Sequence, residues 1–105
     1  METEQLLQLQ STNRRLEVTD ADLSRSEFTD VNLTGAQFKD VNLARAVIEN
    51  ADFNHGTIHN ASLHSLKIDS TDLRGASITR SLMEGMTIDG IPVTDLLAAH
   101  RLLNP

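Results

Sequence analysis

Large apolar residues recur at every fifth position from Val18 to Ile88, and this period constrains the fold more than any other feature of the chain. Written in fives from Leu16, the third residue is Val18, Leu23, Phe28, Leu33, Phe38, Leu43, Ile48, Phe53, Ile58, Leu63, Ile68, Leu73, Ile78, Met83 and Ile88. All fifteen are large and apolar. The first residue of each five is usually small, as at Ala21, Ala36, Ala46, Ala51, Gly56, Ala61 and Ala76, and the other three are mostly polar. With roughly 45–50% apolar residues in an ordinary chain, such a run arises about once in tens of thousands of tries.

Few backbones can bury a period of five. An α-helix advances about 100° per residue, so five residues rotate a side chain by about 140° and no face collects the set. A flat strand alternates faces, so a step of five changes sides each time. The chain must therefore turn a corner once per repeat, sending each third residue to a common axis. Stacked coils then bury a continuous core.

These fives resemble pentapeptide repeats, and the resemblance implies four repeats to a coil of 20 residues, so that residues 20 apart should stack. The columns become Val18/Phe38/Ile58/Ile78, Leu23/Leu43/Leu63/Met83, Phe28/Ile48/Ile68/Ile88 and Leu33/Phe53/Leu73/Val93, all apolar. The small-residue column Ala21/Val41/Ala61/Ser81 is regular. Ser26/Ala46/Leu66/Met86 grows large towards the end, which predicts a wider coil there or a Met86 turned towards the C-terminal end.

The pattern resembles pentapeptide-repeat proteins, whose motif is A(D/N)LXX. Ala21-Asp22-Leu23-Ser24-Arg25 matches it fully; Ala51-Asp52-Phe53 matches with Phe in the centre, and Val31-Asn32-Leu33 and Val41-Asn42-Leu43 with Val in the small position. The resemblance spans residues 16–90. It implies an all-β fold, a right-handed quadrilateral β-helix of about four coils with four repeats to a coil. The expected organisation is an N-terminal cap segment over 1–15, the β-helix over 16–93 and a C-terminal capping helix over 94–105.

The ends need closing, because a solenoid exposes strand edges. Leu6, Leu7 and Leu9 suggest a short helix or turn over residues 3–12. Asp89-Gly90 is a turn signal, and Ile91-Pro92-Val93 continues the apolar period. Thr94 suits an N-cap, with Asp95 in the first turn of a helix. That helix carries Leu96, Leu97, Leu102 and Leu103, candidates both for covering the coil end and for a homodimer contact. The resembled family includes members that dimerise through C-terminal elements.

Composition excludes several function classes. There is no cysteine, so no disulfide framework, thiolate chemistry or Cys-based zinc site. Three Phe with no Trp or Tyr argue against an aromatic-walled pocket and against single-strand binding by base stacking. A net charge of −6 disfavours direct binding to nucleic acid or anionic membrane. The acidic start METEQLLQLQ lacks the form of a signal peptide, and no apolar run is long enough to span a membrane, so the cytoplasm is the expected location.

No catalytic, cofactor-binding or metal-binding residues are expected. His55, His59 and His64 share one coil but fall on different faces, whereas a metal needs ligands at one point. No nucleophile elbow or phosphate-binding glycine loop is present. Carboxylates on a flat exposed wall have nothing to raise a pKa for acid catalysis.

What remains is the placement of acids. Glu27, Asp30, Glu49, Asp52, Asp69, Asp72 and Asp89 fall on two adjacent faces and their shared corner, with only Lys67 and Arg74 against them. The opposite faces are mixed, with Arg25, Lys39, Arg45 and Arg80 beside Glu17, Asp20, Asp22, Asp40 and Glu84. Three readings stand side by side. Asp and Asn at the second repeat position bond to turn backbone and the acids form a solvated surface; or the wall binds a protein whose identity the sequence does not give; or it mimics DNA. The last follows from the resemblance, since some bacterial members protect or inhibit DNA gyrase and their acidic rod shape is held to mimic duplex DNA. Magnitudes weigh against it. Nearly four coils at about 4.8 Å make a rod of roughly 18 Å, with one net charge per roughly 3.6 Å against about 1.7 Å for DNA.

The axis itself is testable. Leu43→Asp buries an unpaired charge, and loss of the far-ultraviolet strand signal at ambient temperature is the expected outcome.

Overall fold

The computed structural model describes residues 16–103; the helix or turn expected over residues 3–12 lies outside the described residues. Short strands alternate between two opposite walls. One sheet contains β1 (Glu17–Asp22), β3 (Gln37–Asn42), β5 (Thr57–His59) and β7 (Ser77–Thr79) in the order β1-β3-β5-β7. The other contains β2 (Glu27–Thr29), β4 (Val47–Glu49), β6 (Lys67–Asp69), β8 (Thr87–Ile88) and β9 (Ile91–Pro92) in chain order. Every parallel pairing is offset by 20 residues, as in Val18↔Phe38, Phe28↔Ile48 and Ile58↔Ile78. The two remaining walls are held by single bridges, Asn32↔Asp52↔Asp72 and Asn42↔Ser62↔Leu82. The result is a four-sided β-solenoid of about four turns with a short C-terminal helix.

The corners come from one backbone feature. The last residue of each five lies at positive φ: Asp20, Arg25, Asp30, Gly35, Asp40, Arg45, Asn50, His55, Asn60, Ser65, Ser70, Gly75, Arg80, Gly85 and Gly90. Two kinds of corner alternate. At Arg25, Gly35, Arg45, His55, Ser65, Gly75 and Gly85 a backbone bond closes the turn, as from Ala36 N–H to Leu33 O (2.9 Å) and from Ala46 N–H to Leu43 O (3.1 Å). A left-handed third residue with this bond is the type II pattern. The other corners are mostly Asp or Asn, the non-glycine residues that reach the left-handed region most readily. There the side chains link coils: Asn50 Nδ2 donates to Asp30 Oδ1, and Asn60 Nδ2 to Asp40 Oδ1 (2.7 Å).

The third residues fill the axis as the period requires. Leu43, Ile58 and Leu63 are 0% exposed, and Phe38, Phe53, Ile48 and Ile68 are 1%. Leu66 and Met86 are equally buried, at 0% and 1% exposed. The ladder passes through at ordinary lengths, Lys67 N–H to Ala46 O and Thr87 N–H to Leu66 O both at 3.0 Å. All three aromatics sit in the first two coils, stacked in sequence: Phe28 against Phe38 edge-on at 5.9 Å, then Phe38 against Phe53 at 6.1 Å. Small residues neighbour them. Leu66 and Met86 belong to the last two coils, which have no ring, so core density is kept.

The C-terminal end departs from expectation. Ile91-Pro92-Val93 does not continue the coil. Asp89 and Gly90 are both left-handed (φ 50° and 78°), and β9 folds back antiparallel on β8 with Ile88↔Ile91 and Thr87↔Pro92 paired. Two consecutive positive φ values make the type I′ turn that favours Asp-Gly. Val93 still reaches the core, 7% exposed, but arrives by this reversal, its N–H donating to Met86 O at 3.0 Å. Helix α1 (Val93–Leu103) follows directly, so Thr94 lies inside it rather than capping it, while Asp95 is in its first turn and His100 and Arg101 in its last. Val93 is the only buried residue of α1.

One contact tests the packing. Gly56 has room for no side chain: a Cβ there would lie 2.5–2.7 Å from three atoms of the Phe53 ring. Gly56→Ala is expected to cost about 1–3 kcal/mol through overpacking. Adding Phe53→Leu should restore part of that loss, read as a higher midpoint of thermal or urea denaturation for the double variant than for Gly56→Ala alone.

Candidate functional site

The parallel register assembles the acidic wall. Glu49 pairs with Thr29 on one side and Asp69 on the other, and Glu27 leads the neighbouring column Glu27/Val47/Lys67/Thr87. Asp52 and Asp72 stack on the adjoining wall, and Asp30 occupies the corner between the two. All seven candidate acids therefore occupy two adjacent walls and their shared corner.

Most of these carboxylates already have partners. Asp52 Oδ1 accepts the N–H of Asn54 (3.0 Å), as Asp22, Asn32 and Asn42 accept those of Ser24, Thr34 and Ala44 at 2.9–3.0 Å. Each such bond fixes the residue just before a tight corner, an Asx turn repeated along the solenoid. Asp30 accepts from Asn50, Asp89 Oδ1 accepts the N–H of Ser70 (3.0 Å), and Asp69 lies 3.6 Å from Lys67 Nζ. Glu27, on the edge strand β2, and Glu49, on β4, are exposed. A bonded carboxylate keeps its charge, so the wall remains acidic, but five of its seven acids also hold structure.

Asp72 is the most tightly held. Arg74 Nε donates to both of its oxygens (3.0 and 3.1 Å) and Nη2 to Oδ2 (2.6 Å), while the Arg74 N–H also donates to Oδ1. The guanidinium and then the backbone N–H hold the carboxyl down from 3.8 to about 2. Arg74 is raised in turn by that carboxylate. The Ser24 backbone N–H lowers Asp22 in the same direction.

The histidines stay apart. His55 is a left-handed corner residue whose ring lies over Gly75; a Cβ on Gly75 would come within 2.5 Å of its Nδ1. His59 is on β5, its Nδ1 2.7 Å from Thr79 Oγ1. His64 falls beyond the next open corner and His100 on α1. Among the described residues no group of three His, Asp or Glu side chains is placed to hold a metal ion.

A repeat of five, a coil of 20 and alternating corners define a family, and a comparison with family models matches residues 18–43 to pentapeptide repeats, eight copies. Residues 18–43 are pentapeptide repeats. The same period and register extend well beyond the matched stretch, to Ile88. No curated protein matches the chain. Pentapeptide-repeat solenoids are typically non-catalytic scaffolds for protein interaction. Among the described residues no helix is long and apolar enough to cross a membrane.

A second surface emerges that the repeat does not announce. Leu82 (63% exposed), Ile91 (48%), Leu96 (42%), Leu97 (37%), Leu102 (82%) and Leu103 (81%) are the exposed large apolar residues among those described, and all lie near the C-terminal end of the coil or on α1. The four helix leucines were legible as candidates. Leu82 had a quieter signal: it stands at a second repeat position, where Asp22, Asn42 and Ser62 precede it in the column.

Asp72 gives the pH prediction. A folded pKa below the ordinary value means the ion pair contributes stability fully above about pH 3.8, and that the contribution is lost as pH falls towards 2. In an NMR titration the Asp72 carboxyl is expected to titrate near the bottom of the accessible range. Arg74→Gln should move its midpoint up towards the ordinary value.

Proposed function

We propose that the protein is a non-catalytic scaffold that binds protein, and that its main contact surface is the C-terminal end, where a second copy of the chain docks through α1. The carrying observation is where the exposed apolar residues lie: among the described residues the six large ones sit on the last coil, in the β8–β9 hairpin or on α1. Contiguous exposed apolar surface on a small domain marks an interaction site. An isologous contact needs only one patch that fits itself, and Leu96, Leu97, Leu102 and Leu103 supply it. The absence of cysteine suits a reducing cytoplasm.

Binding of DNA gyrase by the acidic wall, as a DNA mimic that modulates quinolone sensitivity, is the second reading. Its support is the gathering of seven acids on two adjacent walls and their shared corner, with Glu27 and Glu49 exposed. Two of the seven are neutralised at close range by Lys67 and Arg74, which leaves the wall well below the charge density of a duplex.

Sedimentation velocity separates the two surfaces. Wild type is expected at twice the chain mass, and Leu102→Ser with Leu103→Ser at the monomer mass with its circular dichroism unchanged; wild type at the monomer mass up to millimolar concentration would remove the docking reading. For the second reading, a gyrase supercoiling assay compares wild type with Glu49→Gln, Asp69→Asn and Asp89→Asn combined. Inhibition by wild type alone, weakening steeply with salt, is the outcome a mimic requires.

A further inference from the structure

The first coil is open on its N-terminal side. In the second coil Val47 donates its N–H back to Ser26 O (2.9 Å), and in the third Ser62 donates back to Val41 O (3.0 Å). The corresponding residues of the first coil are Glu27 and Asp22, whose N–H groups face away from the solenoid. Among the described residues no earlier coil accepts from them. The core is open at the same end. Val18, Leu23 and Phe28 are only partly buried, whereas Phe38, Leu43 and Ile48, one coil later, are 1%, 0% and 1% exposed.

The residues before Leu16 cannot continue the coil. Counted back in fives from Val18, the axis positions are Asn13, Gln8 and Thr3. All three are polar, and a further coil would bury them away from water without the partners they need. The apolar residues fall elsewhere. Leu7 and Leu9 stand at the second and fourth positions of their five. Those positions face solvent in the coils that follow, as Glu27 with Thr29 and Gln37 with Lys39 do. A continued coil would be inside out, with leucines on its walls and an amide on its axis.

We propose that residues 1–15 leave the ladder and lie across the open end of the first coil, with Leu6, Leu7 and Leu9 on the floor made by Val18, Leu23 and Phe28. The reach is sufficient. Leu9 stands seven residues before Leu16, up to about 24 Å of extended chain, and facing walls are about 10 Å apart. Ser11, Thr12 and Asn13 lie between, and Ser and Asn are residues that turn a chain readily. The far end of the solenoid also has a half-buried floor, but closing a longer loop onto it costs more chain entropy. The consequence concerns association. A strand edge covered by its own chain is not available for pairing with another, so the N-terminal end is closed to further coils and to other strands. The proposal is independent of the contact assigned to α1 above.

Nuclear Overhauser contacts in the full chain test it. Contacts are expected from the methyls of Leu6, Leu7 or Leu9 to the Phe28 ring and to the methyls of Val18 and Leu23. They should persist in a mixture of labelled and unlabelled copies from which contacts between copies are filtered out. Contacts seen only between copies, contacts to Leu73, Ile78 or Met83 instead, or none at all would each overturn the proposal. Leu6→Ser with Leu9→Ser supplies the second measurement. Amide exchange in β1 and β2 should quicken at least about tenfold, with β5 and β6 unchanged. Exchange in β1 and β2 that quickens no more than in β5 and β6 would overturn the proposal as well.

Discussion

A left-handed residue at every fifth position is the constraint on which the rest of this molecule depends. It converts a chain with no helical or strand periodicity into a square coil, and it sets the offset of 20 that brings like residues together. The conformation is costly: for residues other than glycine it is disfavoured by roughly 1–2 kcal/mol each. Twelve such residues adopt it here. What holds them is cooperative. Each tight corner gains an internal backbone bond, and an Asx side chain one turn earlier fixes the approach at Asp22, Asn32, Asn42, Asp52 and Asp72. Neighbouring coils then bond across every wall, so no corner relaxes without disturbing the coil beside it. Asn50 on Asp30 and Asn60 on Asp40 show the same economy at the open corners. Much of the surface polarity is therefore spent on making turns, which is why acidic residues on a pentapeptide wall are weak evidence for a ligand.

The core obeys a second rule, that a coil of fixed perimeter has a fixed volume to fill. Phe28, Phe38 and Phe53 fill the early coils and require small companions, to the extreme of Gly56, which leaves room for the Phe53 ring. Leu66 and Met86 take up the same space later, without rings beside them. A substitution in one column is therefore coupled to its neighbours on the same coil rather than only to those above and below.

These rules explain what could be read from the chain. The period of five is a property of side-chain type and survives in one dimension, so the axis, the columns and the sharing of walls by Glu27, Glu49, Asp69 and Asp72 were all legible. The corners were less so. Asn50 and Asp40 look like left-handed residues, but Arg25, Arg45 and Arg80 do not; their φ is imposed by the ladders around them. Leu66 and Met86 stood out in a single column, and only the structure shows them buried in coils that lack the aromatics. The C-terminal reversal was misread. Val93 falls where a continuing coil needs an apolar residue, and periodicity does not distinguish a chain that runs on from one that doubles back to the same core.

That reversal shows how a structure with no intrinsic length can stop. A single left-handed residue turns the chain through one corner and leaves it running in the direction that builds the next coil. Two in succession, Asp89 and Gly90, make a type I′ turn, and the strand that follows is antiparallel. An antiparallel strand cannot present the register that a further parallel coil needs, and β9 carries Pro92, which has no N–H to offer. Growth ends there. But the hairpin is as wide as one wall and the solenoid has four, so termination of the coil and closure of its end are separate problems. The first is solved by two residues. The second is left to whatever covers Leu73, Ile78, Met83 and the free edge of β7. Among the described residues, the large apolar side chains left most exposed lie at that same end of the molecule.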